Sequence, residues 1–357
     1  MFIFPQKPGF GLDLSNLSLK LAQIKKKNGD LSLVSFVKED IPQGVIEEGE
    51  IKKDKELAII LKNALKKVKG ESLNTPKVVC NLPEEKIFIR VIQLPKMKEE
   101  ELEQAVHWEA EAHIPLGIDE VYLGFQVIKP MVNHLDHLDV LIAATPRPLV
   151  DKYLSCLKQS GLEPIALEPE SLAVVRSLIA KDELKPSIIV DLGATGTNFV
   201  IYSAQAIRFT SHIRISGQMI NQTIAENLKV SLKEAEQLKI KVGLDKTQEK
   251  GKIYQSLEPV INDLAKQIKD YILFYQEHAT HVHGPDGAIA QVVLCGGDSL
   301  LTDLPSVLAE KINLPVKIGD PLINLSEKKA SIKIPFSSKK EILAYTTAIG
   351  LALRDFI

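Results

Sequence analysis

Two aspartates stand out because they occur in the same local pattern in different halves of the chain. Asp13 lies within the apolar segment Gly11–Lys20, and Asp191 lies in the segment 188–201, where a second apolar run follows a turn of small residues. In each segment the pattern predicts two strands joined by a tight turn, with the aspartate at the end of the first strand. Because the two hairpins are separated by about half the chain, we expect two related lobes that face one another.

Other patterns able to carry chemistry are incomplete. His107 and Glu111 share a predicted helix face without an HExxH motif, and neither GxSxG nor the phosphate-binding GxxxxGK[ST] occurs. Any ATP site must therefore be built from the two hairpins. Two pairs of loop histidines have no third ligand at a metal-site spacing, and we interpret them as solvated residues: His134 with His137, and His281 with His283.

The composition is that of an ordinary soluble globular protein. A length of 357 residues favours two domains or one subdivided domain, and 45% apolar residues supply a core. The 44 basic and 46 acidic residues give a net charge of −2, which excludes a non-specific DNA binder. Aromatic residues make up 5% of the chain, with a single Trp, which argues against a lectin or a surface that stacks single-stranded nucleic acid.

The cysteines and the apolar segments indicate a cellular compartment. Cys80, Cys156 and Cys295 lie far apart without a CxxC pair, which is typical of reduced thiols in a cytosolic protein. The segment Met1–Pro5 does not have the pattern of a secretory signal, and no apolar window is long enough to span a bilayer. We expect a cytoplasmic protein that reaches the inner face of the cell membrane through a partner.

Apolar periodicity predicts the elements that must position the two hairpins. A strand–helix–strand–strand block over about 76–145 is predicted to form a compact module, and Ser231 to Glu234 is a capping box. The predicted helices cover 54–69, 97–113, 150–160, 217–229, 231–241, 253–275, 304–312 and 341–354. The predicted strands outside the hairpins cover 87–94, 121–127, 138–144 and 290–295.

Together, the two hairpins, the strand–Gly–Gly–helix segment 290–312 and the terminal helix resemble the actin-like ATPase superfamily. Within it the chain is similar to the PilM family of type IV pilus assembly proteins, to which the cell-division protein FtsA is related. The segment 94–115 resembles a module that both carry as an insertion. The resemblance covers nearly the whole chain and implies an α/β, actin-like (ribonuclease H-like) two-lobe fold with an inserted small α+β module.

The resemblance also implies a division of the chain. The first lobe core would comprise 1–75, 146–186 and 338–357, and the inserted module 76–145. The second lobe would comprise a core of 187–215 and 288–337 and a helical subdomain of 216–287.

The cofactors implied by the resemblance are ATP and Mg²⁺, held between the lobes. Asp13 and Asp191 would each hold Mg²⁺ through water, because hard oxygen ligands suit this ion. Ser15 stands where the family usually has Gly, and Lys20 is either a phosphate ligand or a solvated lysine at a strand end. In the first hairpin the implied nucleotide-binding residues are Gly11, Asp13, Ser15, Asn16, Ser18 and Lys20.

The second lobe would hold the remaining phosphate contacts and the adenosine. Ala194 and Asn198 replace a Gly and an Asp of the related pattern. Glu168, with Glu170 as the alternative, resembles the acid that orients the attacking water, although a glutamate at a helix start also suits the helix dipole. The implied nucleotide-binding residues here are Asp191, Gly193, Ala194, Thr195, Thr197, Gly217, Glu236, Lys239, Gly296, Gly297 and Asp298.

Three functions are compatible with this resemblance. The first is an ATP-binding scaffold of type IV pilus assembly that docks the N-terminal cytoplasmic peptide of an inner-membrane pilus protein (PilN-like), in a groove between the module and the first lobe. The second is an active enzyme, either an ATPase with weak hydrolysis through Glu168 or a small-molecule kinase, for which we find no acceptor-binding loop. The third is a filament of the FtsA type, although the final helix lacks the basic amphipathic pattern of a membrane helix.

Overall fold

The computed structural model describes residues 8–128, 136–278, 288–325 and 339–357. Its strands are β1 (Phe10–Leu14), β2 (Ser18–Lys27), β3 (Asp30–Asp40), β4 (Ile46–Glu47), β5 (Glu50–Ile51), β6 (Lys69–Gly70), β7 (Lys77–Leu82), β8 (Phe88–Pro95), β9 (Val121–Val127), β10 (His137–Pro146), β11 (Glu163–Pro169), β12 (Ser187–Leu192), β13 (Thr197–Ser203), β14 (Ala206–Ile213), β15 (Gln291–Cys295) and β16 (Val316–Ile318). Its helices are α1 (Asp54–Lys66), α2 (Glu99–Glu111), α3 (Arg147–Gln159), α4 (Glu170–Leu178), α5 (Gly217–Leu228), α6 (Leu232–Lys241), α7 (Lys252–His278), α8 (Leu304–Ile312), α9 (Lys339–Leu343) and α10 (Thr346–Leu353).

The chain divides into two compact units. Among the described residues, unit 1 comprises 8–128, 136–183 and the C-terminal part from Asp320 onwards, and unit 2 comprises the part from Leu184 to Gly319. The sequence analysis assigned 288–337 to the second lobe. The structure corrects this boundary, because the described residues 320–325 belong to unit 1.

Unit 1 is built on a six-stranded sheet in the order β11-β7-β1-β2-β3-β6. β1 pairs with β2 in antiparallel register and with β7 in parallel register, and β7 pairs with β11 in parallel. The carboxyl ends of β1, β7 and β11 therefore lie at one edge of the sheet. This edge brings together Asp13, Asn81 and Glu168, which stand one position beyond the paired residues Leu12, Cys80 and Leu167.

Helices cover both faces of this sheet. α1 and α3 bury Leu57, Leu61, Tyr153 and Leu157 in one core with β1 and β2. α10 lies in a second core with residues of β2 and β3, and all eight of its residues are buried. α10 is thus a helix of the core.

A three-stranded antiparallel sheet in the order β8-β10-β9 forms the predicted module, with α2 packed against it. Leu102, Val106 and Ala110 are the buried face of α2. The sequence analysis began the module at residue 76. The strand β7 belongs instead to the six-stranded sheet, so the module's own sheet begins with β8 at Phe88.

Unit 2 has a five-stranded sheet in the order β14-β13-β12-β15-β16. β12, β13 and β14 form an antiparallel meander, whereas β15 and β16 run parallel to β12. α5, α6, α7 and α8 contribute to one apolar core with this sheet, in which Ile224, Leu257, Ile268 and Leu308 are completely buried.

The two units repeat one arrangement of strands. In each unit three consecutive strands (β1–β3 or β12–β14) form an antiparallel meander. The first strand of the meander also pairs with a parallel strand, which in turn pairs with a second parallel strand. Asp13 is the next-to-last residue of β1, and Asp191 is the next-to-last residue of β12. The repeated hairpin that the sequence predicts is therefore part of a larger structural repeat. No described helix is long and apolar enough to cross a membrane.

Candidate functional site

Asp13 is a buried carboxylate, and only one of its two oxygens has a hydrogen-bond partner among the described residues. It is 3% exposed, and its Oδ2 lies 2.8 Å from Nζ of Lys20, the residue opposite it in the β1–β2 ladder. Its Oδ1 is buried and has no hydrogen-bond partner among the described residues. Since a buried oxygen without a partner is costly, Oδ1 is a position that a water molecule or a hydrated cation could satisfy.

The turn after β1 is held closed by Ser15. Its backbone N–H donates to Ser18 O at 3.0 Å, and its hydroxyl donates to the same oxygen at 2.9 Å. The φ angle of Ser15 is not positive, so serine replaces the family's glycine without backbone strain. Asn16 accepts a hydrogen bond from Gly49 N through its Oδ1 at 3.0 Å. The turn is therefore shaped mainly by bonds of its own side chains.

Gly11 lies in the interior of unit 1. A Cβ on Gly11 would collide with the backbone of α10 at Ala348 and Ala352. The missing side chain is therefore required for the close approach of α10 to β1. The structure does not bring Gly11 to the turn that carries Ser15 and Ser18, and its phosphate-binding role stays a prediction.

Asn81 is a residue of this edge that the sequence analysis did not identify. It is 1% exposed, accepts a hydrogen bond from Leu14 N at 2.7 Å and donates to Leu14 O at 3.3 Å. It fixes the end of β1 directly beside Asp13. An asparagine inside the otherwise apolar run 78–82 is the signal that could have revealed it.

Glu168 is held by two arginines. Arg176 donates to its Oε1 at 2.6 Å and to its Oε2 at 3.2 Å, and Nε of Arg354 donates to Oε2 at 3.2 Å. Arg176 also donates to Gly350 O of α10 at 2.8 Å. Both oxygens of Glu168 are thus engaged by guanidinium groups. The alternative acid, Glu170, accepts a hydrogen bond from Thr347 at 3.3 Å. The water-orienting role of either residue stays a prediction.

In unit 2 the turn after Asp191 receives the start of α5. Gly193 N donates to Gly196 O at 2.9 Å, and Thr197 Oγ1 donates to Ile215 O at 2.6 Å. Gly217 N and Gln218 N, at the start of α5, donate to the carbonyls of Gly193 and Ala194 at 3.0 Å. The turn and the helix N-terminus therefore form one hydrogen-bonded unit, on which Ala194 and Thr195 are exposed.

The Gly296–Gly297 turn follows β15, next to Asp191. Gly296 has φ of +83°, and a Cβ there would collide with Asp191 Oδ1 and Leu192 O. Glycine is therefore required at this position for two reasons: the φ angle is positive, and there is no room for a Cβ. A Cβ on Gly297, by contrast, would meet no atom within 4 Å. Open space thus borders the second glycine of the turn.

Lys239 connects α6 to the same region. Its Nζ lies 2.6 Å from Asp298 Oδ1 and 3.5 Å from Gly217 O, and it is 9% exposed. A Cβ on Gly217 would collide with the Asp298 carboxylate. Glu236, predicted on the same helix face as Lys239, is exposed. We call Asp191, Gly217, Lys239, Gly296 and Asp298 the unit 2 cluster.

The chemical groups of these residues are of the types that bind hydrated magnesium and a nucleotide. Asp13 and Asp191 supply carboxylate oxygens, which could accept hydrogen bonds from the water molecules of a hydrated Mg²⁺. The described ranges contain no group of three or more His, Cys, Asp or Glu side chains able to hold a metal directly.

The other chemistry-bearing residues remain outside these arrangements. His137 pairs with Asp136 at 2.8 Å, and His107 is exposed on α2. The three cysteines form no disulfide and are buried; burial raises the pKa of Cys156 to about 11 and that of Cys80 well above its ordinary value. His134, His281 and His283 lie outside the described residues.

Solved structures share this fold. A chain of a "PilM-PilN type IV pilus biogenesis complex" has a TM-score of 0.81 and 26% identity, covering 98% of this chain and 99% of that one. MreB5 of Spiroplasma citri bound to ADP has a TM-score of 0.54 and 14% identity, covering 96% and 94% of the two chains. The fold is therefore that of the actin-like ATPases, which confirms the predicted fold class.

The sequence comparisons identify the family. The family model "Type IV pilus assembly protein PilM" matches residues 11–356, and the chain belongs to this family. FtsA of Neisseria meningitidis is 24% identical over 298 residues, which cover 78% of this chain and 64% of that protein. FtsA of Pseudomonas aeruginosa is 28% identical over 181 residues, which cover 46% of this chain and 43% of that protein. The chain thus spans less than two thirds of the length of these curated relatives.

Proposed function

We propose that this type IV pilus assembly protein binds ATP with Mg²⁺ and acts as a scaffold rather than as a rapid ATPase. The observation that carries the proposal is the unit 2 cluster, in which a strand-end aspartate, a helix N-terminus, a buried lysine and a Gly–Gly turn are in contact. Backbone at glycines allows the close approach that a nucleotide needs, and Lys239 supplies a positive charge.

Within this proposal the residues of unit 2 have separate tasks. The exposed turn at Ala194 and Thr195 contacts phosphate, and the open space at Gly297 receives the nucleoside. Asp191 would hold Mg²⁺ by accepting hydrogen bonds from its water molecules. The assignment of each task rests on the family resemblance, and the geometry supports it by bringing these residues together.

Unit 1 contributes the first hairpin to the proposal. The buried Oδ1 of Asp13 is suited to a water molecule of the magnesium shell, and Lys20 forms an ion pair with the other oxygen of this carboxylate. Ser15 and Ser18 form a compact turn of small side chains, as phosphate binding requires.

A thermal-shift titration tests nucleotide binding. A ligand that binds only the native chain must raise Tm, so ATP with Mg²⁺ is expected to raise it in a saturable manner. ATP without the metal is expected to raise it less. An unchanged Tm at millimolar ATP and Mg²⁺ would count against the proposal.

We further propose that hydrolysis is slow or absent, because both oxygens of Glu168 are engaged by Arg176 and Arg354. A carboxylate held in this way is poorly placed to orient an attacking water. Phosphate release by the wild-type chain should equal that of Asp191→Ala. A wild-type rate well above that of the variant would identify an ATPase instead.

The partner in this proposal is an inner-membrane pilus protein of the PilN kind. The solved complex pairs a PilM chain with PilN, and it covers nearly the whole of this chain. We propose that the N-terminal cytoplasmic peptide of such a partner docks beside the module and thereby brings the chain to the inner face of the membrane. A synthetic copy of that peptide should bind the full chain, and no binding at high micromolar concentration with nucleotide present would contradict the docking.

A further inference from the structure

The single Trp of the chain, Trp108, lies on the solvent side of α2 and is 74% exposed. The buried face of this helix consists of Leu102, Val106 and Ala110, so its interaction with the module's sheet does not involve Trp108. Tryptophan is highly buried on average, and an exposed one is characteristic of binding surfaces.

The surroundings of Trp108 are strongly acidic. Six of the thirteen residues of α2 are glutamates, and none is Lys or Arg. Residues three or four positions apart are neighbours on a helix surface, which places Gln104 and Glu111 beside Trp108 and Glu101 one further turn away. An exposed apolar ring therefore has one carboxylate beside it on its own helix face and lies on a helix that is acidic as a whole.

Helix stability accounts for only part of this charge. Glu99, Glu100 and Glu101 lie in the first turn, where the helix dipole favours negative groups. Glu111 lies in the last turn, where the dipole disfavours them. In the same turn, Glu109 Oε1 lies 3.1 Å from His113 Nε2, whereas no ion pair of Glu111 is found among the described residues. Glu111, three positions after Trp108 on the helix, is thus placed at a cost to the helix.

We propose that this face of α2, defined by Gln104, Trp108 and Glu111, docks a basic segment that also carries apolar side chains. Trp108 supplies the apolar and cation–π contact, and the glutamates attract and orient Lys and Arg. Cytoplasmic segments next to membrane spans are rich in Lys and Arg, so a membrane protein can present such a partner. The lipid surface itself is excluded as the occupant, because anionic headgroups repel this face.

Trp108 reports on its own burial by fluorescence, and no other tryptophan contributes. The full chain is titrated with a short synthetic peptide of alternating leucine and arginine. We expect a free-protein emission typical of exposed tryptophan, then a saturable shift to shorter wavelength that weakens with added salt. Peptides with glutamate in place of arginine, or glycine in place of leucine, should cause no shift.

Several results would overturn the proposal. The first is an emission of the free protein that already lies at shorter wavelength than that of an exposed tryptophan. The others are no shift with the leucine–arginine peptide, an equal shift with either control peptide, and a shift with phosphatidylglycerol vesicles. The first would indicate that this face is covered by the chain itself, and the last would indicate a membrane surface.

Matched variants locate the contact. With a labelled leucine–arginine peptide, Trp108→Ala and Glu111→Gln should each weaken binding, the former by about tenfold or more. The controls are Ile59→Ala, which removes another exposed apolar side chain at 60% exposure, and Glu103→Gln, which removes an exposed carboxylate on a different side of α2. Equal losses in the controls would refute the assignment. The measurements need no nucleotide, so their outcome is independent of the function proposed above.

Discussion

Asp13 and Asp191 occupy the same position in the two sheets of this protein. Each is the next-to-last residue of the strand that joins an antiparallel meander to a parallel pair. The residue opposite Asp13 is Lys20, which forms an ion pair with it, whereas Asn198 stands opposite Asp191. The repeated hairpins therefore differ in charge, and the carboxylate of unit 1 already has a cationic partner.

The open oxygen of Asp13 leads to the first prediction. Asp13→Asn removes the negative charge that would face the hydrated metal and also removes the ion pair with Lys20. We expect the extra rise in Tm that Mg²⁺ adds to ATP to disappear. The measurement is a thermal-shift series with ATP in the presence of either Mg²⁺ or EDTA. Asp182→Asn, an exposed aspartate of the same unit, should retain the full magnesium effect.

The two neighbouring glycines after β15 should respond differently to alanine. Gly296→Ala introduces a side chain at a positive φ and against Asp191, which should lower the free energy of unfolding by about 1–3 kcal/mol or more. Gly297→Ala meets open space and should fold with an unchanged Tm, yet it should weaken ATP binding. Denaturant unfolding and ATP titration separate the two effects. If Gly297→Ala bound ATP with the wild-type affinity, the nucleoside would not bind at this turn.

The contact between Gly217 and Asp298 can be tested by a double-mutant cycle. Gly217→Ala places a Cβ against the Asp298 carboxylate and should displace it from Lys239, lowering Tm. Asp298→Ala removes the collision, so the double variant should regain part of the lost Tm. Additive losses in the cycle would show that the two residues do not interact.

Replacement of Glu168 should affect the free energy of unfolding more than the rate of phosphate release. Glu168→Gln leaves Arg176 without its buried counter-charge and should lower the free energy of unfolding by about 2–4 kcal/mol. Denaturant unfolding of the nucleotide-free protein measures this loss, and the exposed Glu163→Gln is the control. A stable variant with abolished phosphate release would instead make Glu168 the hydrolytic acid.

The cysteines should be unreactive in the native protein. Burial raises the pKa of Cys156 to about 11, so almost no thiolate forms at neutral pH, and Cys80 is shifted in the same direction. A thiol-specific chromogenic reagent at neutral pH should label none of the three until denaturant is added. Rapid labelling of a native thiol would show that the region around it opens.

The sequence predicted the elements better than it predicted their partners. Both hairpins, the helix 304–312 and the family resemblance are confirmed, because they depend on local periodicity and on motif order. The residues of β7 were included in the module without a strand being predicted there, because a short apolar run does not reveal which sheet it joins. The boundary of unit 1 at residue 320 was missed for the same reason.

The contacts of the candidate site depend on long-range neighbours. Lys239 and Asp298 are 59 residues apart, and Glu168 and Arg354 are 186 apart, so no local pattern relates them. Gly217 and Gly296 could be proposed from the motifs, but the carboxylates that require glycine there appear only in three dimensions. The roles assigned to these residues stay predictions until nucleotide binding is measured.

Isothermal titration calorimetry of the full chain with ATP and Mg²⁺ tests the central claim most directly. The account predicts saturable binding at one site per chain, with a lower affinity in Asp191→Asn and in Lys239→Ala. The absence of binding heat over a range of temperatures, or equal affinity in the wild type and both variants, would contradict it.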